Sequence, residues 1–219
     1  MPERKSKLRK ARKGIVGIEA AIVLIAFVIV AAALAFVTLN MGFFTTQKSK
    51  EAMGSSLKEA SSALEVDGSV LGKTDQNGNL TAIAIPLKLS SGKNPIDLSK
   101  TIVTIRTPTK AVTLTSNNNQ TIRIYKNWST PNPFVNESLN NPASFLGYVN
   151  DEGGTADKLL ETNEKWFLVI NFTNTNVLNA GLKAYTTFIV EIKPPTGAPL
   201  TVERMVPPNL SEEVIVLEG

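Results

Sequence analysis

The chain of 219 residues contains no cysteine and no histidine. Without thiols it has no disulfides, no thiolate metal site and no cysteine nucleophile. Without imidazole it lacks the usual acid–base group of enzymes working near neutral pH. No Walker loop, G-x-S-x-G elbow or serine–histidine triad occurs. The sequence therefore reads as a protein that is not an enzyme and holds no cofactor. Aromatic residues are also scarce, at 6%, and none lies in residues 1–14, where positive charge is concentrated. That segment carries seven Lys/Arg (Arg4, Lys5, Lys7, Arg9, Lys10, Arg12, Lys13) against Glu3, a net of +6, while the remaining 205 residues carry −2. A nucleic-acid surface would interleave aromatics with its bases. A short basic segment without them reads as the n-region of a targeting signal, so no nucleic-acid partner is expected.

Beyond Gly14 the chain turns apolar. From Ile15 to Phe44 the interruptions are Gly17, Glu19, Thr38, Asn40 and Gly42, and Ala20–Val37 is an unbroken run of 18 apolar residues. That length reaches the threshold for a membrane span. A helix apolar on every face must sit in lipid or deep in protein. The bases before it predict a cytoplasmic N-terminus, with the rest of the chain outside.

Three readings fit this segment. It can be a single-pass anchor. It can be a secretory signal, since Ala31–Ala33 and Ala33–Ala35 satisfy a small-x-small cleavage rule. Or cleavage can fall before the apolar run, at Lys13-Gly14|Ile15, leaving the helix on the mature protein. Glu19 distinguishes them. A carboxylate in a span costs up to ~2.5–3.5 kcal/mol at the centre and less near an end. The third reading gives it a use: a new amine at Ile15 on one subunit neutralises Glu19 on its neighbour when helices pack. The other readings merely tolerate it.

The run Arg12-Lys13-Gly14-Ile15-Val16-Gly17-Ile18-Glu19-Ala20-Ala21-Ile22-Val23 resembles the N-terminus of archaeal flagellins (archaellins), members of the wider type IV pilin superfamily. The similarity continues through Asn40–Phe44 to Gln47-Lys48 and returns in Gly197-Ala198-Pro199-Leu200-Thr201-Val202-Glu203-Arg204. The resemblance implies that a membrane-embedded prepilin-type peptidase cuts after Gly14, at the site Lys13, Gly14, Ile15. It implies that Glu19, five places into the mature chain, is the assembly glutamate. It further implies a helical homopolymer serving motility, built by machinery whose own ATPase supplies the energy. The implied location is an extracellular filament whose precursor waits in the membrane.

After the apolar run, Met53, Leu57, Ala60 and Leu64 recur at spacings of four, three and four, an amphipathic continuation. Gly54, Ser55 and Ser56 weaken it locally. A helix from Ile15 to Leu64 would extend roughly 75 Å, and its outer third is expected to pack against a globular head.

From about residue 66 the texture becomes rich in Asn, Thr, Gly and Pro. Short β-like runs recur at Leu80–Leu89, Thr101–Arg106, Lys110–Thr115, Thr121–Tyr125, Trp166–Phe172, Tyr185–Lys193, Leu200–Val206 and Glu213–Leu217. In the first, Ile83, Ile85, Leu87 and Leu89 share one face. Asn77-Gly78 before it is a turn signal. This pattern predicts an α+β chain: a cleaved basic prepeptide (1–14), a long helix (15–65) and an antiparallel, Ig-like β-sandwich (66–219). Asn127–Asn150 reads as a long surface loop and Asp157–Glu161 as a helical turn. Trp166 reads as core and Trp128 as a surface residue.

Six N-x-S/T sequons, at Asn79, Asn119, Asn127, Asn136, Asn171 and Asn209, all fall on the side that the topology places outside. N-glycosylation of half or more is expected, with Asn171 the weakest case because it lies within an apolar strand. Asp151, Glu152 and Asp157 offer oxygen ligands for calcium, but their spacing matches no EF-hand loop and reads as solvated charge. Two alternatives share parts of this pattern: an adhesive pilin with the same signal and helix, and an uncleaved membrane-anchored surface glycoprotein. An exported binding domain would require cleavage near Ala33 or Ala35.

Overall fold

A computed structural model describes residues 12–90, 94–115, 122–125, 132–149 and 158–217. Helix α1 spans Arg12–Ser61. It is followed by β1 (Leu64–Val66), β2 (Val70–Thr74), β3 (Leu80–Leu89), β4 (Ile96–Asp97), β5 (Ile102–Arg106), β6 (Ala111–Thr115), β7 (Ile122–Tyr125), helix α2 (Asn136–Leu139), β8 (Ala143–Val149), β9 (Leu159–Leu160), β10 (Lys165–Asn171), β11 (Thr187–Lys193), β12 (Leu200–Met205) and β13 (Val214–Leu217). Internal contacts divide the chain into two units, Met1–Ser55 and Ser56–Gly219.

The first unit is the helical part up to Ser55. Long unbranched and alanine residues favour the helix, and the β-branched ones are tolerated because the run is long. The threonine hydroxyls along the helix are satisfied by its own backbone. Thr38 Oγ1 donates to the Ala35 carbonyl at 2.9 Å, Thr45 to Met41 at 2.8 Å and Thr46 to Gly42 at 2.8 Å. The apolar stretch gives way where Lys48 pairs with Glu51 at 2.7 Å and lies 6.0 Å from the Phe44 ring.

The helix stops at Ser61, short of Leu64. The Ser62 amide and hydroxyl both donate to the Lys58 carbonyl, at 3.0 and 2.7 Å, and close the last turn. Leu64 is instead buried in β1 and pairs with Leu89. Met53 and Leu57 are both exposed. The expected packing of this stripe against the chain's own head is therefore not found at Leu57, which belongs to the second unit.

In the second unit two sheets face each other. The larger has the order β13-β2-β3-β10-β8-β7, with β1 also on β3; the smaller is β12-β11-β5-β6. Among the described residues the named strands pair antiparallel except β7 with β8. The domain is thus a mostly antiparallel β-sheet fold, and the chain as a whole is α+β. The core between the sheets joins Ile83, Ile85, Phe145, Trp166 and Leu168 from the larger to Val103, Ile105, Phe188, Val190 and Ile192 from the smaller. Phe172 meets Phe188 edge-to-face at 5.7 Å, a favoured arrangement of ring quadrupoles.

β3 carries Pro86 although it lies inside a sheet, where the missing N–H is ordinarily unfavourable. The Pro86 carbonyl accepts from the Asp67 amide at 3.0 Å, so its ring nitrogen faces the same side. That side is the gap between β1 and β2, which lie end to end along one edge of β3 with Gly68 (φ 117°) in the break. The missing donor therefore falls just past the end of the β1 pairing rather than inside a ladder. The same break hides β1 and β2 from a periodicity reading.

β3 is also buried on both faces. Ala82 and Ala84 belong to a second cluster with Phe134, Leu146 and Val169, formed where the segment around α2 folds over the outer side of the larger sheet. The region expected as one surface loop, Asn127–Asn150, thus contains α2 and the buried strand β8 over its described residues. The run Ala143–Val149 is two-sided and so lacks the alternation that marks a half-exposed strand. The expected helical turn at Asp157–Glu161 is likewise corrected, because Leu159 and Leu160 pair with Asp97 and Ile96. Ile96 and Leu160 are fully buried, and that burial outweighs a helical preference of so few residues.

Candidate assembly surface

Every large hydrophobic side chain from Ile18 to Phe44 is more than half exposed, from Val37 at 54% to Phe27 at 76%. Burying each would contribute ~1.5–3 kcal/mol. A helix in this condition must be completed by lipid or by other protein. Monomeric soluble proteins rarely expose an apolar patch of even a few hundred Å². Glu19 is the one ionisable residue of the stretch Ile15–Phe44. It is exposed and sits beside an apolar face that includes Val23, Leu24, Phe27 and Val28.

Lys13, Gly14 and Ile15 lie at the start of α1, which begins at Arg12; their side chains are outside the described residues. Ile15 and Glu19 are four residues apart, about one turn and ~6 Å along the axis. Fold and apolar surface together define a membrane-compatible structural protein whose helix is finished by its surroundings.

The β-domain has two ends. α1 enters beside the end of β3, where Leu64 pairs with Leu89 and the Ser90 amide donates to Ala63 at 2.8 Å. The described sequons lie at the opposite end, about 30 Å away along the ten residues of β3. Asn79 immediately precedes β3, and Asn171 pairs with Ala82 near its start. Asn171 Nδ2 donates to the Leu139 carbonyl at 2.7 Å, which brings α2 and hence Asn136 to this end. Asn209 lies in the connection leading to Glu213, whose carbonyl accepts from the Thr74 amide at 3.0 Å.

Their environments differ. Asn209 is exposed and its Oδ1 accepts from Ser211 Oγ at 2.8 Å. Asn79 is half-buried, with Nδ2 3.3 Å from Asp75 Oδ2. Asn171 is half-buried and tied at both ends of its amide, Oδ1 accepting from Thr173 N at 3.0 Å and Oγ1 at 2.7 Å. In the Asn136 sequon, Ser138 is fully buried and donates to Pro133 at 2.6 Å. Asn119, Asn127, Trp128, Asp151, Glu152 and Asp157 lie outside the described residues.

Charge near the helix entry centres on Asp67, whose carboxylate pairs with Lys165 and, at 3.1 Å, with Lys88. These two ammonium groups, Lys165 foremost, hold the Asp67 carboxyl below its ordinary range. The contact ties β3 and β10 to the break between β1 and β2.

A family model for archaeal-type flagellins matches residues 14–204. Over 205 residues the chain is 47% identical to probable flagellin 1 of Aeropyrum pernix, covering 92% of this chain and 95% of that one. It is 34% identical to probable flagellin 2 of Archaeoglobus fulgidus over 220 residues, covering 96% and 97%. Among solved structures, the archaeal flagellum of Methanospirillum hungatei strain JF1 superposes with a TM-score of 0.63 at 29% identity, covering 91% of this chain and 98% of that one. Archaeal flagellin FlaB1 of Methanocaldococcus jannaschii, at 17% identity and TM-score 0.61, shares the fold over 71% of this chain and 96% of its own.

The chain belongs to the archaeal-type flagellin family. It is a structural protein and not an enzyme: a self-assembling subunit of the archaellum filament at the cell surface.

Sequence reasoning missed one set of functional positions. The block Gly197–Arg204 was visible only as a resemblance. In the fold its first two residues lie against Ser62 and Ala63 where α1 ends, a long-range contact that leaves no local signal.

Proposed function

We propose that the subunit polymerises through α1 after cleavage between Gly14 and Ile15, with residues 1–14 removed by a prepilin-type peptidase. The precursor waits in the membrane with its basic end in the cytoplasm. Assembly exchanges lipid for neighbouring helices, and residues from about 66 onward form the outer sheath. A partner motor with its own ATPase drives extraction and rotation for swimming. The observation that carries this reading is the apolar surface from Ile18 to Phe44, uncovered along its whole length.

Glu19 is the assembly contact in this scheme. Cleavage creates an amine at Ile15 about 6 Å from the level of Glu19. Parallel helices staggered by that distance bring the amine of one subunit to the carboxylate of the next, so neither charge enters the water-free core alone. The far end of the β-domain faces solvent and carries N-glycans. Its exposed Asn209 is the best acceptor among the described sequons, and Asn171, whose amide holds the Leu139 carbonyl, the poorest.

Intact mass or Edman sequencing of filaments sheared from native cells, after deglycosylation, tests the processing step. A first residue of Ile15 is expected. A first residue of Met1 or Pro2, or one near Leu34 or Phe36, would overturn it.

A further inference from the structure

The segment Pro194–Pro199 between β11 and β12 reaches across to the point where α1 ends. Gly197 has φ 100°, and a methyl group built on it would lie 1.8 Å from the Ser62 carbonyl oxygen and 2.7 Å from its carbon. That is backbone against backbone, a closeness only glycine allows. Ala198 forms a parallel bridge with Ala63. Pro194, Pro195 and Pro199 restrict the turn before it makes contact.

From the other sheet, the Ser90 amide donates to Ala63 at 2.8 Å, and β1 pairs with β3 one residue later. Asn94 Nδ2 donates to Ser61 Oγ at 3.0 Å. Ser62 itself is 2% exposed. Both sheets therefore grip residues 61–64, one through Ser90 and Leu89, the other through Gly197 and Ala198.

We propose that the Pro194–Pro199 turn is a clasp, closed on Ser62 through Gly197 in the assembled filament, which makes the last turn of α1 move as one body with the β-domain. Load on the helix then passes into both sheets rather than into a single strand. Without the clasp, Ser62 and Ala63 would be held from the larger sheet only, through β1, the Ser90 amide and the Asn94 side chain.

Gly68 supplies the control. It also has positive φ, 117°, but an added methyl there meets nothing within 4 Å, so Gly68→Ala carries backbone strain without touching the helix end. In native cells expressing the full chain, Gly197→Ala is expected to lower the yield of sheared filaments by about tenfold, with processed precursor still in the membrane. Gly68→Ala keeps wild-type yield. Equal yields for the two variants, whether high or low, would overturn the clasp.

Because Gly197→Ala can also weaken folding, the closed state is tested without disturbing it. The chain has no cysteine, so Ala63→Cys/Ala198→Cys presents a single thiol pair. A short bis-bromo bimane, fluorescent when it bridges two thiols, is expected to label this variant within single chains of intact filaments. Absence of that intrachain bridge in filaments would refute closure, whatever the membrane precursor does.

Discussion

Replacing Glu19 with alanine should act in opposite directions on the two environments of α1. In the membrane it removes a carboxylate, which eases insertion by up to ~2.5–3.5 kcal/mol if the residue sits deep and by less near the end. In the filament, on the proposed cleavage before Ile15, it strands the new amine in a helix bundle with no partner. Removing one member of a buried ion pair costs about 3–5 kcal/mol. At ~1.4 kcal/mol per tenfold, that weakens each subunit contact by roughly 100- to 4,000-fold. The expected phenotype is a subunit that inserts and is processed but accumulates in membranes. Sheared filaments and membranes are assayed by quantitative immunoblot, with the N-terminus read by mass spectrometry. Glu19→Gln keeps the shape and should fail similarly. Wild-type filament yield from Glu19→Ala, or full rescue by Gln, would refute the charge argument.

Other expectations concern the β-domain. Phe188 is fully buried against Phe172, so Phe188→Ala should cost about 3–5 kcal/mol and lower the calorimetric Tm by roughly 6–20 °C. The Asp67 carboxyl, held below its ordinary value of 3.8 by Lys165 and then Lys88, adds stability above that pH and loses it as pH falls through the lower folded-state value. Thermal melts of wild type and Asp67→Asn should therefore differ at pH 7 and converge below pH 3.8; a constant difference would contradict the ion pair. Asn209→Gln should remove one glycan mass from its peptide without moving Tm. Asn171→Ala should instead cost about 1–3 kcal/mol through the unpartnered Leu139 carbonyl, with no glycan lost.

The legible parts of this molecule are those whose cause is local. The basic start is read from charge alone, and the apolar run and the isolated Glu19 come from composition along a continuous helix, where every backbone bond is made within about four residues. The runs at Leu80–Leu89, Trp166–Phe172 and Tyr185–Lys193 are visible because branched and aromatic residues cluster in them. β8 was unreadable as a strand because both faces of Ala143–Gly147 are covered, one by the opposing sheet and one by the segment around α2. Ala82 and Ala84, small and apolar where a half-exposed strand would be polar, were the available hint.

What the sequence by itself determined is thus the division into apolar helix and β-rich domain, and the chemistry available to each. Only the tertiary structure decided where the helix stops, which end of the domain carries the described sequons, and what Gly197 touches. Helix termination at Ser61 is set by the burial of Leu64 in β1, and the described sequons gather because antiparallel pairing folds their segments to one end. Gly197 meets Ser62 from 135 positions away along the chain, and a contact between distant backbones exists only once both sheets have formed.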